Sequence, residues 1–174
     1  MSPESNLVAD FTYLRCWEGT AFLSFVIDVF SRRVVGWQFA THMKTSLVLD
    51  ALRMALSHRD GTPNDLQLIH HSDRGCQYMS NEFTQTLSDY GVIASVGSVG
   101  DAYDNAMAES FVDSIKTELI SDRIWRTLTE LELAIVRYID WFNNARLHKS
   151  LGDIPPVEYE ALHEPIESKL ALRS

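Results

Sequence analysis

Over the first forty residues, apolar side chains come in short runs broken by turn residues, the pattern of consecutive β-strands. Residues 6–15 (NLVADFTYLR) form a β-rich run of mixed apolar and polar positions. Trp17-Glu18-Gly19 reads as a turn, and Thr20 to Phe30 (TAFLSFVIDVF) is apolar enough for a buried strand. Ser31-Arg32-Arg33 reads as a second tight connection before a third strand, VVGWQF at 34–39. Three strands with two short turns predict an antiparallel meander. The period then changes. Leu47, Val48, Ala51, Leu52, Ala55 and Leu56 recur at helical spacing after the start signals Thr45-Ser46. Gly61, Pro63 and Asn64 end that region, and Leu66 to His70 is a short fourth strand. Asn81 to Tyr90 reads as a helix stopped by Gly91, and Val92 to Val96 as a fifth strand. After the small-residue loop GSVGDAYD, a helix from about Tyr103 has Ala108, Phe111, Val112, Ile115 and Leu119 as its apolar stripe. A last long helix is expected near Thr129, with Thr129 and Glu132 as a capping box. Pro155-Pro156 follows, and 157–174 reads as a short helix or tail.

The element order is therefore β-β-β-α-β-α-β-α-α. It predicts an α/β fold with a mixed five-stranded sheet and helices on both faces, the order of a ribonuclease-H-like domain. With 174 residues, 45% of them hydrophobic, one ordered domain is expected. No apolar run is long enough for a membrane span, and the first residues lack the basic and apolar regions of a secretory signal. Cys16 and Cys76 make neither a disulfide framework nor a zinc spacing, so a cytoplasmic setting is the default. The net charge of −9 is the reverse of what a free-standing DNA binder carries.

Three carboxylates sit in unusual places. Asp10 lies mid-strand in LVADFTYL, Asp73 directly follows the fourth strand in HHSDRGCQY, and Glu109 follows Ala108 on a helix stripe in DNAMAESF. Taken singly, each has an ordinary reading as solvated charge or a turn residue. Taken together, the first strand, the fourth strand and a helix end can bring them to one cleft. Converging negative charge calls for divalent cations. Mg²⁺ or Mn²⁺ suits hard oxygen donors, and a pair of ions about 3.5–4 Å apart is suited to in-line phosphoryl displacement.

The blocks VADFTY, HSDRGCQY and DNAMAES, with Lys116 beyond them, resemble the signature blocks of DDE transposases in the retroviral-integrase superfamily. The 35 residues between Asp73 and Glu109 match that superfamily's spacing. The similarity is closest to bacterial insertion-sequence transposases whose catalytic part lies in a second reading frame. FVIDVFSRRVVGW, SVGSVGDAYDNAMAE and YIDWFNNARLHKSLGDIPPVEY extend it over roughly residues 5–160, leaving 161–174 as a tail. The chain begins nine residues before Asp10, so the helix-turn-helix region such transposases use to find their ends is expected to be absent from it.

The resemblance implies Asp10, Asp73 and Glu109 as catalytic metal ligands for two Mg²⁺ or Mn²⁺ ions, possible to leave empty at rest. It implies transposon ends and target DNA as partners, a homo-oligomer in the synaptic complex, and strand cleavage followed by 3′-hydroxyl strand transfer. Two other readings stay open: a hydrolytic nuclease of the same fold, and a truncated relic without turnover. Lys116, two helical turns beyond Glu109, is a candidate DNA contact, or a solvated lysine paired with Glu109 or Asp113. Asn105 shares Glu109's helix face and either contacts DNA or starts the helix with Asp104. His71 is a candidate for the cleft lining and DNA contact; adjacent His70 and His71 point to opposite strand faces and do not make a zinc pair. Gly75, Gly97 and Gly100 suit tight or mobile loops beside the site. Asp28 is expected to hold a turn or a neighbouring arginine. Cys76 stands where the family more often has serine. His58-Arg59-Asp60 copies a kinase tripeptide without the loops a kinase needs. Tyr138, Trp141 and Phe142 could stack bases, but their helical spacing fits core packing better. With most phosphate neutralisation assigned elsewhere, the chain alone is expected to bind DNA weakly and salt-sensitively.

Overall fold

A computed structural model of the protein describes residues 5–58, 66–70, 85, 88–89, 93–96, 102–121 and 123–163; for Ser5, 66–70, 93–96 and 102–105 it describes the backbone alone. The strands are β1 (Ser5–Cys16), β2 (Gly19–Asp28), β3 (Val34–Ala40), β4 (Leu66–His70) and β5 (Ile93–Val96). The helices are α1 (Thr45–His58), α2 (Ala102–Ile115), α3 (Leu128–Asn144) and α4 (Pro156–Leu162). A π-helical turn, Lys116–Ile120, continues α2. The predicted helix at 81–90 lies almost wholly outside the described residues.

The sheet order is β3-β2-β1-β4-β5. β1, β2 and β3 pair antiparallel, as the short turns require, while β4 and β5 add in parallel. Side chains alternate across a strand, and here both faces are covered. Leu7 and Ala9 of β1 join Val26, Val35 and the apolar stripe of α1 in one core. Val8 and Leu14 join Phe25, Ile27, α2 and α3 in the other. Gly36 lets α1 lie close on β3: a Cβ there would strike the Ala51 carbonyl oxygen and come within 2.8 Å of the Ala55 Cβ.

Three local expectations change. β2 ends at Asp28 rather than Phe30, because the Asp28 carboxylate accepts the Phe30 and Ser31 amides (2.9 and 3.0 Å) and turns the chain. Asp28 therefore holds a turn, as its position suggested, while Arg33 pairs with Glu160 of α4 at 3.0 Å. The last long helix is capped by Thr127, whose hydroxyl accepts the Glu130 amide at 3.1 Å, and not by Thr129. The Leu128 amide is met by the Glu18 carboxylate (2.8 Å), a partner distant in sequence. Of the aromatic trio, Tyr138 and Phe142 are core, but Trp141 is 44% exposed.

The α3 helix is pinned to the sheet by Asn143. Its side-chain amide oxygen accepts the Val34 N–H at 2.9 Å, and its NH₂ donates to the Val34 carbonyl at 3.0 Å. All of these atoms are buried, so Asn143→Leu would leave a backbone donor and acceptor without partners. The expected loss is about 2 kcal/mol of stability, read from urea unfolding. An unchanged midpoint would mean that α3 is held by its apolar face alone.

Candidate active site

Asp10 is level with Phe25 of β2 and lies on the same alternate face as Val8, Thr12 and Leu14, the face covered by α2. It is only 6% exposed. A carboxylate so deep in a central strand requires donors or a cation to offset lost hydration. The Phe11 amide is one such donor, at 2.8 Å. Parallel pairing with β4 runs from Ser5↔Leu66 to Ala9↔His70. The β4 backbone thus ends beside the residue before Asp10, and Asp73 follows three positions later in sequence. Asp73 itself, with His71, Gly75, Cys76, Gly97 and Gly100, lies outside the described residues.

Glu109 is on α2, which packs against β1. Buried Ala108, Phe111 and Ile115 fix the inner face of the helix and leave Glu109 exposed at its margin. Glu109, Ser110, Asp113 and Thr117 line an open groove along the outer side of the helix. Two of the three candidate acids therefore come from contacting elements on one face of the sheet. Among the described residues no group of three His, Cys, Asp or Glu side chains is assembled for a metal ion. The donor chemistry of Asp10 and Glu109 is all-oxygen, which suits Mg²⁺ or Mn²⁺ and not a soft metal.

Lys116 begins the π turn. Its Nζ lies 5.3 Å from the centre of the Tyr13 ring, and it forms no ion pair with Glu109 or Asp113. The backbone of Asn105 is helical, so that residue is inside α2 and not ahead of it. Short π segments recur at functional positions in helices, and this one lies directly after the stretch bearing Glu109.

One cluster escaped the sequence reading, although its members fall within the YIDWFNNARLHKSLGDIPPVEY block. The Arg146 guanidinium grips Glu118 of the π turn with Nη2 at 2.6 Å and Nε at 2.8 and 3.0 Å. The Tyr138 hydroxyl donates to the same carboxylate at 3.3 Å. Burial, then the Glu118 charge, raises the Tyr138 hydroxyl well above its ordinary range, so it stays protonated. His148 stands edge-on to Phe142, and its Nε2 is 3.2 Å from the Phe142 carbonyl. Burial is the main cause that lowers the His148 pKa from its ordinary 6.5, with Arg146 and Arg32 adding to it. A depressed histidine pKa means that the unfolded chain binds more protons below pH 6.5. Stability is therefore expected to fall as pH drops below about 6.5, and a His148→Gln variant should show a flatter profile. Urea midpoints measured from pH about 7.5 to 5 check this; parallel profiles would refute it.

Two models of the integrase core domain match the chain, over residues 2–102 and 90–156. A Mycobacterium tuberculosis protein assigned to insertion sequence element IS986/IS6110 is 46% identical over 165 residues, covering 93% of this chain and 59% of that protein. The transposase for insertion sequence element IS629 of Shigella sonnei is also 46% identical, over 91% of this chain and 52% of its own length. The chain thus spans somewhat more than half of these relatives. Among solved structures, the HTLV-2 integrase catalytic core domain in complex with magnesium superposes with a TM-score of 0.62 at 15% identity, covering 90% of this chain and 96% of that one. The fold is thus the ribonuclease-H-like α/β fold of integrase catalytic cores. The chain belongs to the integrase core domain family, alongside transposases of bacterial insertion sequences.

Proposed function

We propose that this chain is the catalytic core of a DNA transposase, joining a 3′-hydroxyl end of DNA to a target strand with Asp10, Asp73 and Glu109 as its metal-holding acids. The observation that carries the reading is the nearly buried Asp10 carboxylate in the central strand, on the face covered by the helix that bears Glu109. Family membership and the insertion-sequence relatives support the reaction class. Magnesium in the HTLV-2 core supports a divalent cation here.

When bound, two Mg²⁺ or Mn²⁺ ions would supply activation of the nucleophile and charge stabilisation for in-line displacement at phosphorus. Asp10 supplies a fixed anionic oxygen from a rigid strand, so its position changes little as substrate arrives. Glu109, at the exposed margin of α2, supplies a second oxygen donor that substrate can approach. Asp73 supplies the third. Lys116 neutralises a phosphate near the scissile bond, and Asn105 and His71 add polar contacts to DNA. The acting form is a homo-oligomer with DNA ends and target, working in the bacterial cytoplasm at the nucleoid. Among the described residues no helix is long and apolar enough to cross a membrane.

A strand-transfer assay tests this. A labelled duplex with a free 3′-hydroxyl element end is incubated with target DNA and Mn²⁺. A labelled strand longer than the input is the expected product. Shortened strands without longer ones would replace transfer by hydrolysis, and an inert chain with intact fold would leave neither.

A further inference from the structure

The chain is strongly acidic overall, yet one stretch of its surface gathers cations around exposed rings. Arg15 and Lys116 lie 5.8 and 5.3 Å from the Tyr13 ring centre, and Arg126 lies 5.7 Å from that of Trp17. Trp17 is 72% exposed even with Arg126 over it, and Tyr13 is 51% exposed. The arrangement is built, because the Trp17 amide donates to the Trp125 carbonyl at 2.9 Å and ties the β1–β2 hairpin to the loop before α3. Arg123 stacks on the buried Trp125 ring at 4.0 Å in the same loop. Of the neighbouring acids, Glu18 accepts the Leu128 amide, Glu130 the Arg126 amide at 3.4 Å, and Glu118 is held by Arg146.

Tyr13 and Arg15 share one face of the strand, the face opposite Asp10, about 6.7 Å apart, and Trp17 follows where the strand turns. Rings at successive steps beside cations are suited to stacking bases while neutralising their phosphates. A duplex keeps its base faces covered and would engage the cations alone. Lys116 links the strip to α2, seven residues beyond Glu109. We infer that Tyr13, Arg15, Trp17, Lys116 and Arg126 form a track for an unpaired DNA strand along the β1–β2 hairpin and past the end of α2, with bases on Tyr13 and Trp17. The inference deepens the transposase reading and rests on DNA being the substrate.

The test is a binding titration without metal, so that it is independent of strand joining. A labelled oligothymidylate of about twelve nucleotides and a duplex of equal length are titrated with the full chain in EDTA, by anisotropy. Trp17→Ala is expected to weaken single-strand binding about tenfold and duplex binding by less than about twofold, while Trp17→Phe restores most of the affinity. Arg126→Ala should weaken both and reduce the single-strand salt slope by about 0.7. Single-strand affinity unmoved by Trp17→Ala, or duplex affinity falling equally, overturns the track. If Trp17 behaves as expected but no joined strand forms in the transfer assay, the track stands and the transferase reading fails. A joined strand with Trp17→Ala binding unchanged gives the converse.

Discussion

Asp10→Asn is expected to lower strand joining about a thousandfold or more while leaving the urea midpoint nearly unchanged. The substitution keeps size and shape at a nearly buried position, and the asparagine oxygen can still accept the Phe11 amide that the carboxylate accepts now. What it removes is one anionic oxygen on the central strand. A metal-assisted displacement draws several kcal/mol from ions held by such oxygens, and each 1.36 kcal/mol is about a tenfold change in rate. Glu109→Gln and Asp73→Asn should lose activity to a similar extent. Glu109 is exposed on a helix otherwise held by Ala108, Phe111 and Ile115, so its neutralisation leaves packing alone. Rates of joined-strand formation in Mn²⁺, with calorimetric Mn²⁺ titrations on the same variants, provide the check. An Asp10→Asn protein that joins strands at the parent rate would remove Asp10 from the chemistry. Weakened Mn²⁺ binding alongside lost joining is the combined result expected.

The second large effect concerns the opposite face of the sheet. Gly36→Ala is expected to destabilise the protein by about 3 kcal/mol, lowering Tm by about 6–12 °C. The added methyl meets the Ala51 carbonyl oxygen as well as the Ala55 nitrogen and Cβ at 2.8 Å. Backbone atoms cannot rotate away as a long side chain can, so α1 must lift from β3. That lift opens the core formed by Val35, Val48, Ala51, Leu52 and Ala55. Ala55→Gly should rescue little, because the Ala51 carbonyl belongs to the main chain. Thermal unfolding of the single and double variants tests both statements; a Gly36→Ala protein of unchanged Tm would show that α1 docks with room to spare. Asp10 lies on the other face, so the strand-joining rate per folded molecule should survive at low temperature.

These two residues mark what could and could not be read from the chain alone. The mixed five-stranded α/β order was legible because each element declares its own period and punctuation: strand runs between tight turns, then helical stripes closed by Gly and Pro. Family membership was legible for a similar reason, since HSDRGCQY, DNAMAES and the later block are local strings. The Thr127 cap was misplaced by two residues because Thr127-Leu-Thr-Glu130 and Thr129-Glu-Leu-Glu132 are equivalent as strings. The Glu18 carboxylate on the Leu128 amide lies at the start the structure adopts, and it comes from far along the chain.

The sequence by itself determined the element order, the three acidic blocks with their spacing, and the residues that turn the chain. Tertiary structure decided which helix covers which face of β1. Alternation separates Asp10, Val8 and Leu14 from Leu7 and Ala9, but both sets are buried, so periodicity cannot say which set meets α2. It also decided that Gly36 must be glycine, that Asn143 completes Val34, that Arg146 holds the π turn through Glu118, and that Arg126 stands over Trp17. Each of those depends on residues far apart in the chain, and such pairings exist only once the sheet and helices have docked.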